Sequence, residues 1–163
     1  MKIENLNDLF LHTLQDIYFA EKQIVKALPK MMKKTDSPEL GKAFESHLAE
    51  TEEQVTRLEQ VFEMLGQKPK ATKCPAIEGI IEEANELIAD IKDSDTRDAG
   101  MIAAAQAVEH YEITRYGTLV SWAEMLGMKD AAKVLGQTLK EEYGADQKLT
   151  KLAESRLNKE AAE

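Results

Sequence analysis

Four long stretches of this chain repeat apolar residues at helical spacing, and each sets a glutamate in or beside its apolar stripe. In the first, Leu6, Leu9, Phe10, Leu14, Ile17, Tyr18, Val25 and Leu28 form the stripe and Glu21 lies within it. In the second, Phe44, Thr51, Leu58, Val61 and Leu65 leave Glu50 on or beside the seam, between His47 and Gln54. The third carries Ile102, Ala105, Ile113, Tyr116, Val120 and Ala123, with Glu109 on the stripe, Glu112 flanking it one turn on, and His110 on the other side. In the fourth, Leu135, Leu139, Leu149, Leu152 and Ala153 bracket Glu142 and Asp146. An ionised carboxylate on an apolar helix face is unfavourable unless its charge is compensated. A single such Glu can sit at the stripe's edge and reach water. Four together point to a four-helix bundle that gathers carboxylates around a dinuclear metal site.

Nothing else in the composition competes with that architecture. At 163 residues the chain is expected to form one domain, 1–163, with a short polar tail from about residue 158. Helices of roughly 30 residues would each span about 45 Å. Aromatics, Gly and Pro are few, and β-branched residues do not alternate, so a sheet has no source. Net charge is −9, which repels phosphate backbones and argues against nucleic acid. No apolar run is long enough to span a membrane. The first eight residues lack a signal peptide's apolar core, so a cytoplasmic location is expected. Cys74, the one cysteine, can form neither an internal disulfide nor a thiolate cage. Lys73 beside it would favour a reactive thiolate, but a small residue opening a helix is the simpler reading.

The order of elements follows from caps and breakers. Asn5 or Asn7 caps the first helix, which should run to about Lys33 with a kink or early end at Pro29. Ser37 caps the second, with Pro38 at its first position, and Gly66 ends it. A basic loop with two prolines, 66–75, leads to a shorter apolar helix over 76–92. The third long helix begins near Asp95 and the fourth follows Gly127. The connection between the second and third long helices, about 30 residues, is long enough to cross the bundle lengthwise, whereas the others make antiparallel neighbours. The polar tail from Arg156 is expected to fray. The crossover helix offers more apolar positions than one face buries, and the third long helix adds Met101, Leu119 and Trp122, which together predict an interface.

Two carboxylates about 5 Å apart repel by roughly 3 kcal/mol at an effective dielectric of 20. Protonation relieves one or two of them; two divalent metals relieve five at once and leave net −1. Hard oxygen donors suit iron or manganese. The usual Glu-x-x-His pattern of such sites is missing: Glu53 stands three residues after Glu50, and Ala145 three after Glu142. Gln54 and Asp146, one turn along, are candidate replacements, and Asp16, His47 and His110 could orient ligands. For His47 the simpler reading, a surface or satisfied core histidine, is favoured over a ligand-orienting role. No phosphate loop or nucleophile elbow is present, and one tryptophan, Trp122, does not make a sugar cleft.

The segments Tyr18–Gln23, His47–Thr51 with Gln54, Ala105–Ile113 with Tyr116-Gly117, and Leu139–Glu142 closely resemble the ferritin-like YciF/YciE stress-protein family, nearer the YciF branch, over almost the whole chain. Rubrerythrin is a more distant relative in the same sense; its third helix also carries two Glu three apart, like Glu109 and Glu112. The resemblance implies an all-α, ferritin-like up-down bundle with an added crossover helix, a homodimer, and a bacterial stress role without a demonstrated reaction. The expected function is a dinuclear iron, or manganese, carboxylate protein acting on a small oxidant such as oxygen or peroxide. Glu21 and Glu142 would be terminal ligands, Glu50 and Glu109 bridging ones, and Glu112 a further ligand. The alternative is a structural or interaction protein with a vestigial metal site. The missing histidines favour that alternative, and the density of inward Glu favours the first reading.

Overall fold

The computed structural model describes residues 2–163. Five helices, α1 (Leu6–Met32), α2 (Pro38–Met64), α3 (Pro75–Asp90), α4 (Ser94–Met125) and α5 (Lys129–Leu152), are followed by a π-helical turn over Ala153–Leu157 and a last turn, α6 (Asn158–Glu160). The starts are capped as the sequence implies. Asn5 accepts from the Asp8 amide, Ser37 from Leu40, Cys74 from Ile77 and Asp93 from Thr96. Gly66 and Gly127, at φ 64° and 75°, end α2 and α4 in the left-handed conformation a glycine adopts without strain.

The buried positions step alternately by four and three. On α1 they are Phe10, Leu14, Ile17, Glu21, Ile24 and Leu28; on α2, Leu40, Phe44, His47, Thr51, Gln54, Leu58 and Val61. On α4 they are Asp98, Ile102, Ala105, Glu109, Glu112, Tyr116, Leu119 and Ala123; on α5, Ala131, Leu135, Thr138, Glu142, Ala145 and Leu149. A 3.5-residue repeat keeps one seam of each helix facing the bundle axis over its whole length. Beyond Leu149 the buried residues are Ala153 and Leu157, two consecutive steps of four. The π turn supplies the extra residue that this change of register requires.

Side-chain pairs fix the directions. Tyr18 meets Glu59, Glu21 meets Tyr116, Arg57 meets Glu141 and Gln106 meets Asp146. With Thr35 against Asp98 and Arg156 against Glu39, these make α1 antiparallel to α2 and α4, and α5 antiparallel to α2 and α4. The parallel helices α2 and α4 lie on the diagonal, and the α3 connection crosses the bundle to join them. This is the ferritin-like arrangement.

Three local expectations change. Helix α1 continues through Pro29 to Met32, because a proline one turn from the end forfeits only one backbone bond. The C-terminal segment is anchored rather than frayed: Leu157 is buried, and Arg156 donates to Glu39 and Ser37. Met101 and Leu119, expected at an interface, are fully buried within the protomer, with Trp122 half-buried beside them. No helix among the described residues is long and apolar enough to cross a membrane.

Candidate metal centre

The seams carry apolar residues at both ends of the bundle and polar ones in the middle. Glu21 on α1, His47, Thr51 and Gln54 on α2, Glu109, Glu112 and Tyr116 on α4, and Thr138 and Glu142 on α5 are all buried there. One ligand-type atom each from His47, Glu109, Glu112 and Glu142 lies within 4.8 Å of the others. Glu21 adjoins this group, accepting from the Tyr116 hydroxyl. The remaining Glu21 oxygen, one of Glu109's, both of Glu112's and both of Glu142's have no hydrogen-bond partner. His47 Nε2 is 3.2 Å from Glu109 Oε1, yet it lacks the alignment of a hydrogen bond, and Nδ1 has no partner either. Buried polar atoms are nearly always satisfied. So many orphans converging on one point form a group that could hold a cation.

The electrostatics agree. Burial raises all four carboxyl groups. Glu21 is pushed up to about 8, burial acting first and the Glu142 charge second. Glu142 goes to about 7 through burial. Glu109 rises to about 11 and Glu112 well above the usual carboxylate range, each through burial and then the nearby carboxyl of Glu142. Burial also drives the His47 imidazole down to about 4, so the ring is neutral near pH 7 and keeps a nitrogen lone pair for a metal. An ionic pairing with Arg or Lys would have moved the carboxyl groups the other way.

Of the ligands expected from sequence, Glu21, Glu109, Glu112 and Glu142 meet, and Glu50 does not join them. Glu50 is one position off the Thr51 seam, and its side chain is 32% exposed with Lys148 Nζ 3.8 Å away. The α2 seam delivers His47 instead. Gln54 is buried in the polar layer, its amide donating to Glu141, which also holds Arg57. Asp146 and His110 stand outside: Asp146 accepts from Gln106 and lies 3.3 Å from an exposed His110. Asp16 accepts from Tyr111, whose hydroxyl is 2.9 Å from Cys74 Sγ. Burial raises the Cys74 pKa, so the thiol is no ready nucleophile. The sequence pattern gives no sign of the Arg57–Glu141 pair or of the Tyr116 hydroxyl on Glu21. Phe44, His47, Thr51, Gln54, Leu58 and Val61 repeat strictly by three and four, and that spacing was the signal that put His47 rather than Glu50 on the seam.

The fold and this site define a ferritin-like four-helix bundle with a buried carboxylate and histidine cluster. The comparisons then place the chain: residues 5–162 match the family described as a domain of unknown function, DUF892, and the chain belongs to that family. It is 49% identical to protein YciF of Escherichia coli (strain K12) over 162 residues, covering 99% of this chain and 98% of that one. The crystal structure of that stress protein superposes with a TM-score of 0.92, covering 96% of this chain and 99% of the other. YcfI of Rhodopseudomonas palustris, to which a structural role has been ascribed, is 52% identical with a TM-score of 0.90, covering 91% and 95% of the two chains. A protein of Xanthomonas campestris pv. campestris matches at 25% identity and a TM-score of 0.73, covering 93% of each chain.

Proposed function

We propose that this protein is a dinuclear metal carboxylate protein of the bacterial stress response, holding two iron or manganese ions between Glu21, His47, Glu109, Glu112 and Glu142. The observation that carries the reading is the set of orphaned oxygens on four buried carboxyl groups. The donor set fits: hard oxygens with one imidazole suit iron and manganese. Glu50 lies outside, so two divalent ions would balance the four carboxylates once their protons are released. When bound, such a pair supplies redox chemistry toward oxygen or peroxide. The chain's own contribution is placement: Tyr116 holds the Glu21 carboxyl, and apolar layers pack on either side of the site. The link to stress comes from the similarity to YciF.

Elemental analysis of protein purified without chelator tests this directly. Two equivalents of iron or manganese per chain are expected, falling below one in Glu112→Gln. Protein that stays metal-free after incubation with Fe(II) or Mn(II) would instead favour a structural or interaction role.

A further inference from the structure

A cavity of about 180 Å³ adjoins the polar layer, with His47 and Glu109 in its wall. It exists because each of the five main helices presents an alanine there: Ala27, Ala43, Ala84, Ala105 and Ala145. The remaining wall is mostly apolar, with Phe44, Ile88, Val108 and Leu149 among its members. Lys26 and Lys30, exposed and one turn apart on α1, stand at its edge with Lys148. Lys148 is answered by Glu50, but Lys26 and Lys30 have no ion-pair partner among the described residues. Glu50 and Glu109 also line the cavity, but the edge formed by Lys26 and Lys30 is locally cationic and suits an anionic head there.

We propose that this cavity binds a straight-chain aliphatic carboxylate, with its tail in the alanine-lined space beside His47 and its carboxylate at the rim near Lys26 and Lys30. Size selects the chain. A cavity of about 150 Å³ accommodates one benzene ring, so this one takes a tail of about six to eight carbons. A membrane lipid, with far longer chains, does not fit, and the ligand is a free short fatty acid. The tail supplies the affinity, about fourfold per buried methylene. The rim lysines, remaining in water, contribute only a preference for an anionic head. The assignment does not depend on bound metal, because the alanines and lysines form the cavity by themselves.

The test is isothermal titration of the metal-free full chain with butanoate, hexanoate, octanoate and dodecanoate, with octanol as the uncharged control. Affinity should climb about fourfold per methylene to octanoate and then level off. Octanoate should bind more tightly than octanol, and the double variant K26Q/K30Q should remove that advantage. Ala105→Leu, or Ala84→Leu at a less crowded position, should abolish binding while keeping the helical circular dichroism of the parent. No binding of hexanoate or octanoate would overturn the proposal. So would affinity that keeps rising to dodecanoate and ignores both leucine variants, since that describes surface adsorption. Octanol binding as tightly as octanoate would overturn the placement of the head. Octanoate binding without metal uptake would remove the metal reading alone, and metal uptake without carboxylate binding would remove this proposal alone.

Discussion

Replacing Glu109 by glutamine, Glu109→Gln, should make the metal-free protein more stable and the metal-loaded protein less so. Glu109 is buried with its pKa raised from 4.5 to about 11. The folded state therefore holds a proton there that the unfolded chain releases above pH 4.5, so this group's stability contribution is fully present below that pH and is lost as pH rises toward 11. At pH 7 the loss spans 2.5 units, on the order of 3 kcal/mol. Glutamine is isosteric, cannot ionise, and still offers a donor to Glu142 or His47. At roughly 2–4 °C per kcal/mol for a domain of this size, the variant should melt about 6–12 °C higher without metal at pH 7. The other carboxyls act in the same direction: Glu142 up to about 7, Glu21 up to about 8, and Glu112 beyond the ordinary range. His47 acts oppositely, because its folded pKa of about 4 lies below the ordinary 6.5, and its contribution is complete above that value. Between pH 7 and 8 the raised carboxyl groups of the cluster make metal-free parent protein lose stability with pH, and the variant should lose it less steeply by about 1.4 kcal/mol per unit. Saturating Fe(II) or Mn(II) should reverse the ranking, since the parent gains a ligand's binding energy that the variant forfeits. Circular-dichroism melts at pH 7.0, 7.5 and 8.0, with chelator and with metal, read all of this. A variant that melts lower than the parent in chelator would show that Glu109 is paired with a cation rather than repelled by its neighbours, and the reasoning would fail.

Asp98→Ala should lower stability by about 3 kcal/mol while leaving metal content unchanged, because the buried carboxylate accepts from the Asp36 and Ser37 amides and the Thr35 hydroxyl, and alanine orphans all three donors; a chemical denaturation midpoint measures it. Tyr116→Phe should cost about 1–3 kcal/mol in the metal-free state by removing the donor to buried Glu21, and a melt at pH 6 with chelator would reveal it. Cys74 should resist iodoacetamide in native protein and react in urea, since its thiol is buried with a raised pKa; rapid native labelling would contradict that placement. We further propose a homodimer, to be checked as a sedimenting species of twice the chain mass at micromolar concentration.

The helices and their order could be read from the sequence because each boundary has a local chemical cause. Asn5, Ser37 with Pro38, Gly66 and Gly127 act within one turn of where they stand, and the structure uses all four as stop or start signals. The site was readable only as far as the seam was. Glu21, Glu109 and Glu142 interrupt apolar stripes and are found inside. On α2 the stripe is itself polar for three consecutive seam positions, His47, Thr51 and Gln54, so hydrophobic periodicity fades where it is needed and the nearby Glu50 looks like the better candidate. Counting register outward from Leu40–Phe44 and Leu58–Val61 resolves it, because a 3.5-residue repeat cannot slip between two fixed ends. Arg57, Glu141 and Arg156 were beyond reach for a different reason. Their partners lie on helices distant in sequence, and no local pattern encodes a contact across the bundle.

That uninterrupted register explains how the bundle tolerates its own centre. Four buried carboxyl groups, each unfavourable near neutral pH, would together consume much of the 5–15 kcal/mol that separates a folded domain from its unfolded chain. The layers on either side offset them: Phe10, Leu14, Leu58 and Phe62 toward one end, and Leu28, Leu40, Phe44 and Ile102 toward the other, are buried almost completely. Each such side chain contributes about 1.5–3 kcal/mol by leaving water. Because the apolar layers clamp all four helices above and below, no single helix can rotate its glutamate outward without also turning its leucines and phenylalanines into solvent. The repulsion at the centre is thus held in place by packing at the ends, and a cation that neutralises it meets ligands already assembled.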